Sequence, residues 1–324
     1  MSKIIDFKSP EEKRDCREED ICQFFEELLE LLRDEGALIH CITSPVAIND
    51  CANAVLAIGS NPIMAEHPSE VERVTSMAGA LSLSTANITD ARAESIQVSA
   101  KKAAECDIPV VLDLVGISIS SLRLFVAKKV LSCGIKKLVI KGNASEIRYL
   151  AGRSSSAVGV DAGKDDVVDA KSRESVEEMV EIIQELAGRY DAAVMVTGEV
   201  DLIADGEDVY RINNGCELMG WVTGMGCTLT CFTAAVLSEV NRLMDGGPME
   251  DKFYMGLGAA AAVTYFGICG ELAAVAPDGT AAVKRIVESD AVRMGLGTYR
   301  MHMMDALSLL TAKDVAERTR IECL

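Results

Sequence analysis

Positive charge is scarce in these 324 residues: 32 lysines and arginines face 50 acids, leaving a formal net charge of −18. Nucleic acids and anionic membrane surfaces select basic faces, so neither is an expected partner. An anionic substrate must instead be met locally, by helix ends, a metal ion or a few lysines. Histidine is scarcer still. His40, His67 and His302 are scattered along the chain and offer little from which to build a histidine metal centre. The 11 cysteines are an odd number with no Cys-x-x-Cys pair. No secretory signal is apparent at the start, where Asp6, Lys8, Glu11, Glu12, Lys13 and Arg14 crowd together. A reduced cytoplasmic setting is therefore expected. Also missing are the Walker A and Rossmann fingerprints, internal repeats, and any linker rich enough in proline or serine to divide domains. The one uncharged run that suggests a membrane span, 253–270, is rich in alanine and glycine and lacks flanking basic clusters or tryptophan anchors. It predicts a helix buried between other elements.

What is present fits a soluble α/β protein, with 49% hydrophobic and 25% charged residues. Residues 1–36 read as a polar extension carrying an amphipathic helix, because Phe24, Phe25, Leu28, Leu29 and Leu32 recur at helical spacing. Residues 37–324 are expected to form a single domain. Short apolar runs at 38–42, 63–64, 80–84, 109–113, 138–140 and 192–196 alternate with helical patterns, and Asp205-Gly206 marks a hairpin. Ser69 with Glu72, and Ser175 with Glu178, predict two capped helix starts. Residues 153–166 read as a loop. This alternation specifies a mostly parallel central sheet with helices on both faces.

In such sheets ligands bind at the carboxyl ends of the strands. Asp113, Lys141, Asn143, Glu146 and Thr197 all fall at or just after such ends. Gly224, Met225, Gly226 and Cys227 run directly into an apolar helical series. Glycines there free the backbone for positive φ, and the first helical N–H groups favour an anion such as phosphate. Asp113 and Glu146 are candidates for one magnesium ion, which takes one or two carboxylates and keeps several waters. Each also has a plainer role open to it, as a helix cap or a dipole partner. Cys227 is either a small buried residue or, at a helix start, an acidic thiol.

Ordered words run through the chain: 40–65, 109–116, 141–147, 196–204, 222–228 and 295–310. Through them the chain resembles the hydroxyethylthiazole kinase family of the ribokinase-like superfamily, from about His40 to Leu310. The resemblance implies ATP-dependent phosphorylation of the hydroxyl of 4-methyl-5-(2-hydroxyethyl)thiazole in thiamine biosynthesis and salvage, by trimers whose active sites lie between subunits. It implies that Met64, Val46 and Gly224 border the thiazole, with Ser44 in the same word. Thr197 and Lys141 would contact ATP beside Asn143, and Asp113 and Glu146 would act around Mg2+. Gly224, Gly226 and Cys227 would form the anion hole, Cys227 standing where many ribokinase-like kinases carry an aspartate base. Four positions depart from the family pattern: Ser44 for asparagine, Leu114 for proline, Lys141 for arginine and Met225 for a small residue. Two alternatives stand beside this reading: a kinase for another heteroaromatic alcohol of the hydroxymethylpyrimidine or pyridoxal type, and a thiazole- or nucleotide-binding protein in which Met225 spoils the anion hole and turnover is lost.

Overall fold

The computed structural model describes residues 36–154, 162–163, 166–206, 208–244, 251–275 and 295–324, together with 23–25, 28, 29 and 32. The expected loop at 153–166 therefore lies partly outside the described residues. Nine strands form one sheet in the order β2-β1-β3-β4-β5-β6-β7-β8-β9. They are β1 Leu38–Ile42, β2 Asn61–Ile63, β3 Ala80–Ser84, β4 Val110–Asp113, β5 Leu138–Asn143, β6 Ala193–Thr197, β7 Asp201–Ala204, β8 Val209–Ile212 and β9 Ile321–Cys323. Every pairing from β2 across to β6 is parallel, and β6 through β9 pair antiparallel.

The apolar runs are continuous because both faces of the sheet are covered. Alternate residues of one strand reach opposite cores: Val111 and Val139 join one, while Val110, Leu112, Leu138 and Ile140 join the other. The first core is closed by α1 Ile48–Ala57, α7 Met225–Met244, α8 Asp251–Ala273 and α9 Leu296–Leu309. The second is closed by α3 Asp90–Cys106, α4 Ser121–Leu131 and α6 Arg173–Tyr190. Short helices α2 Pro68–Ser76, α5 Ala144–Leu150 and α10 Ala312–Arg318 complete the set. Phe24, Phe25, Leu28, Leu29 and Leu32 are buried in the first core, against the sheet's helical cover; apart from these and residues 23 and 36, the expected 1–36 extension lies outside the described residues.

Helix α8 is long and apolar enough to cross a membrane by length and composition, yet its most apolar window is entirely buried. Its small residues permit the close approach expected of the 253–270 run. A Cβ on Gly258 would stand 2.7 Å from Leu237 of α7, and one on Gly267 would stand 2.8 Å from the Asn214 carbonyl.

Two helix starts differ from expectation. Helix α2 is capped by His67, whose Nδ1 accepts from the Ser69 N–H at 3.2 Å. Pro68 follows as the first helical residue, where its missing N–H costs nothing. Helix α6 is capped by Ser172, accepting from the Ser175 N–H at 3.2 Å. Ser175 is spent instead on accepting from the Asp169 N–H at 3.1 Å, and Glu178 pairs with Arg148. Strand β5 also runs three residues beyond the expected 138–140, to Asn143, and abuts α5 directly.

Candidate active site

Register alone brings the first pair together, because Asp113 of β4 lies beside Lys141 of β5. The Lys141 Nζ donates to Asp113 Oδ1 at 3.1 Å, with both side chains buried. Burial works against the ammonium, but Asp113, Cys227 and Glu146 overcome it and leave the Lys141 pKa raised. Asp113 Oδ2 is buried and accepts no hydrogen bond among the described residues. Asn143 ends β5 and caps α5 in a reciprocal box with Glu146. Glu146 Oε2 accepts from the Asn143 N–H at 2.8 Å, and Oε1 accepts from the Gly116 N–H at 2.7 Å. Burial first, and the Asp113 charge second, push the Glu146 carboxyl up to about 8. Its two oxygens already hold the backbone of two strand-end loops.

The glycine loop meets Asp113 and Lys141 at the carboxyl end of the strands, on the side of the sheet that α7 covers. Gly224 has φ 87°, and a Cβ there would stand 2.7 Å from Ala47 Cβ. Helix α7 begins at Met225, so the Gly226 and Cys227 amides belong to its first turn. The Lys141 Nζ lies 3.6 Å from where a Gly226 Cβ would be. Thus positive φ is required at Gly224, whereas Gly226 keeps space open beside a cation. Met225 is buried in the first core. Of the two roles open to Cys227, the structure supports the small buried residue over the acidic thiol: burial, then the Asp113 charge, push it up to about 12, although Lys141 pulls the other way. Position at a helix start is outweighed by desolvation and a neighbouring acid.

A cavity of about 950 Å³ gathers Asp113, Lys141, Asn143, Glu146, Thr197, Gly224, Gly226 and Cys227. Thr197 is in register with Asn143 at the end of β6. The cavity also holds residues that the sequence pattern left unmarked. Asp201 Oδ1 accepts from the Gly198 N–H at 3.0 Å, bracing the turn that carries Thr197. Its carboxyl is pushed up to about 7 by burial, against that hydrogen bond and Lys141. Its place four residues after Thr197, across a tight turn, was the available signal. Opposite lie Asn214, Gly215, Met219, Val263 and Phe266. Glu271 Oε1 fixes that wall by accepting from the Gly215 N–H at 2.7 Å and from Asn214 Nδ2 at 3.2 Å.

Ser44, Val46 and Met64 do not line this cavity. They stand just past β1 and β2, and Val46 is 64% exposed. The same turn reaches the glycine loop through Ala47 against Gly224. His40 beneath it is a packing residue, its Nδ1 and Nε2 engaged by Thr75 Oγ1 at 2.8 Å and the Ala65 carbonyl at 2.9 Å, with burial holding its pKa down.

A mostly parallel sheet with a cation, two acids and a helix N-terminus at its carboxyl rim defines a phosphotransferase of ribokinase-like architecture. A ribokinase-like superfamily protein from Enterococcus faecalis V583 shares that fold, at TM-score 0.51 and 10% identity over 87% of this chain and 95% of that one. The hydroxyethylthiazole kinase family profile matches residues 29–313, and the chain belongs to that family. "Hydroxyethylthiazole kinase 2" of Clostridium botulinum (strain Okra / Type B1) is 39% identical, over 88% of this chain and 94% of the relative. "Hydroxyethylthiazole kinase" of Methanobrevibacter smithii is 32% identical over 94% and 99%. The solved hydroxyethylthiazole kinase protein of Pyrococcus horikoshii OT3 superposes at TM-score 0.72 with 26% identity, covering 93% of this chain and 99% of that one. The protein is thus a kinase of thiamine biosynthesis, and ATP use follows.

Proposed function

We propose that this enzyme transfers the γ-phosphoryl group of ATP to the primary hydroxyl of 4-methyl-5-(2-hydroxyethyl)thiazole. The observation that carries the reading is the Lys141 ammonium, paired to Asp113 and placed beside Gly226 in the first turn of α7. A phosphoryl group at that point meets a fixed cation and the unpaired N–H groups of a helix end. Its loose transition state spreads charge over the equatorial oxygens and rewards such positioning. The Cys227 thiol is neutral near pH 7, so the amides of its turn contribute more than its sulfur. Thr197 and Asn143, side by side at the strand ends, serve the nucleotide.

The residues present fit a magnesium ion. Asp113 Oδ2 is a buried carboxylate oxygen without a partner among the described residues, and Mg2+ characteristically takes one or two carboxylates together with substrate phosphates. Asp113 would hold the ion directly, and Glu146, protonated near pH 7 in the ligand-free site, would add its charge only once a bound cation drew the proton off. When bound, the ion neutralises phosphate charge.

The thiazole belongs at Ser44, Val46, Met64 and Gly224, on the open side of the glycine loop. Helix α9 packs on α1 and on the 3₁₀ turn Glu217–Trp221, and these neighbouring elements expose Ile48, Trp221 and Leu296. That apolar surface beside an exposed Val46 supports a homotrimer in which an adjoining subunit covers the thiazole. The nine free cysteines among the described residues support a reduced, cytoplasmic setting. One kinase domain, 37–324, with the N-terminal helix packed against it, is the domain reading that the shared core supports.

Incubation with ATP, Mg2+ and hydroxyethylthiazole, with products resolved by mass, tests the reaction. Thiazole phosphate and ADP in equal amounts are expected. Absence of product from folded protein, across a range of metal and substrate concentrations, overturns it.

A further inference from the structure

Asn87 adopts φ 49° in the turn between β3 and α3. The two other non-glycine residues with positive φ among those described, Asp107 and Asp191, are the C-caps of α3 and α6, where this conformation is customary. Asn87 closes no helix. Backbone strain of this kind persists only where surroundings over-determine it, and it concentrates at ligand sites.

The surroundings are specific. Arg92 is 3% exposed. Its guanidinium donates to the Asn87 carbonyl at 3.3 Å and also to the Thr43 carbonyl, tying the loop after β3 to the loop after β1. The Asn87 side chain is oriented by a one-way relay. The Val46 N–H donates to Ser44 Oγ at 3.2 Å, and the Ser44 hydroxyl donates to Asn87 Oδ1 at 2.7 Å. Because a backbone amide can only donate, the serine proton is free to pass onward, and an amide oxygen is what receives it. The Asn87 amide nitrogen is left as a donor with no acceptor among the described residues, on an exposed side chain.

We infer that Asn87 is a specificity-determining residue, its Nδ2 donating to the ring nitrogen of the thiazole. This rests on the placement of the thiazole beside Ser44 and Val46 given above. The thiazole nitrogen carries an in-plane lone pair and is the ring's strong acceptor; the ring sulfur is a weak one. Ser44 and Val46, which orient Asn87, lie on the turn that touches Gly224 through Ala47, so ring recognition and the phosphoryl site share one support. Position 44 has a hydroxyl too short to present an amide, and Asn87 presents one from the neighbouring strand end.

The test compares hydroxyethylthiazole with its thiophene counterpart, in which CH replaces the ring nitrogen. Wild-type enzyme is expected to prefer the thiazole by about 10- to 100-fold in kcat/KM, the loss expected when a single donor at the site is left without its acceptor. Asn87→Gly keeps the left-handed backbone and removes the amide. It should erase that preference while leaving KM for ATP and turnover of the thiophene unchanged. Asn87→Asp, which replaces the donor by a carboxylate, should handle the thiazole worse than the glycine variant does. An undiminished thiazole preference in Asn87→Gly overturns the assignment, as does equal loss on both substrates, which marks a purely structural role. Wild-type protein that turns over no thiazole overturns the functional reading itself, and the Asn87 role with it.

Discussion

The two ends of the site are built on opposite terms. At the proposed phosphate end, Asp113, Lys141 and Glu146 are all buried: Lys141 is paired with Asp113, and the Glu146 carboxyl is held by two backbone amides. At the proposed thiazole end, Val46 and Asn87 are exposed and Met64 is half-buried. In the proposed site one chain supplies the groups that meet the phosphoryl group, because desolvated charges must find partners within the fold. Recognition of a small neutral ring needs shape and one or two hydrogen bonds, which an open surface can leave for a neighbour to finish.

Substitutions can break this contrast or sharpen it. The largest effect is expected at the junction, from Gly224→Val. A branched side chain opposes φ 87°, and its Cβ would stand 2.7 Å from Ala47. Both ends should fail together, with turnover down by about 10³-fold. Steady-state kinetics on folded protein check this, and a variant within tenfold of wild type would show that the loop is only a turn. Next, Asp113→Asn should strike the phosphate end alone. It removes the free carboxylate oxygen and leaves a buried ammonium without its counter-charge. The magnesium concentration for half-maximal rate should rise roughly 10- to 100-fold, with thiazole affinity held; titration of rate against magnesium decides.

A subtler difference lies in the pH dependence of ligand-free stability. Glu146 titrates at about 8 in the folded protein against an ordinary value of 4.5. Between those values the folded chain retains a proton that the unfolded chain has released. Stability from this group is therefore present in full at low pH and is lost as pH rises towards 8. Asp201, at about 7, acts in the same sense over a narrower range. Melting temperatures of the wild type should fall between about pH 5 and 8. In Glu146→Gln the decline should stop near pH 7, and a decline that continues unchanged to pH 8 would refute the account. The smallest effect is expected from Cys227→Ala, below about tenfold in single-turnover rate, because a thiol held near 12 is not the base. Complete loss of turnover would restore sulfur to the chemistry.

Much of the phosphate end was legible in the sequence. Buried parallel strands read as unbroken apolar runs, so the first polar residue after each run, Asp113 or Lys141, marks the rim. The glycine loop announced itself by opening a helix. Its two glycines could not be told apart, since which one bears positive φ depends on Ala47, a residue nearly 180 positions away in the chain. The protonation of Cys227 stayed open for a related reason: sequence shows a helix start but not the depth at which it is buried. The wall at Asn214 and Gly215 went unseen because it is held by Glu271, at the end of a helix that reads as featureless and apolar. Asn87 escaped notice because its value lies in a backbone angle and in a relay through Ser44, neither of which leaves a pattern in one strand.

The glycines of α8 also have a mechanical consequence. Gly258 is seated against α7 and Gly267 against the Asn214 wall, more than two helical turns apart. A helix keyed at two levels to two partners can neither rotate nor slide without driving backbone into side chain at one of them. It behaves as a fixed spindle through the molecule. Motion that admits a nucleotide or releases its product is then expected at the rim loops rather than along this helix.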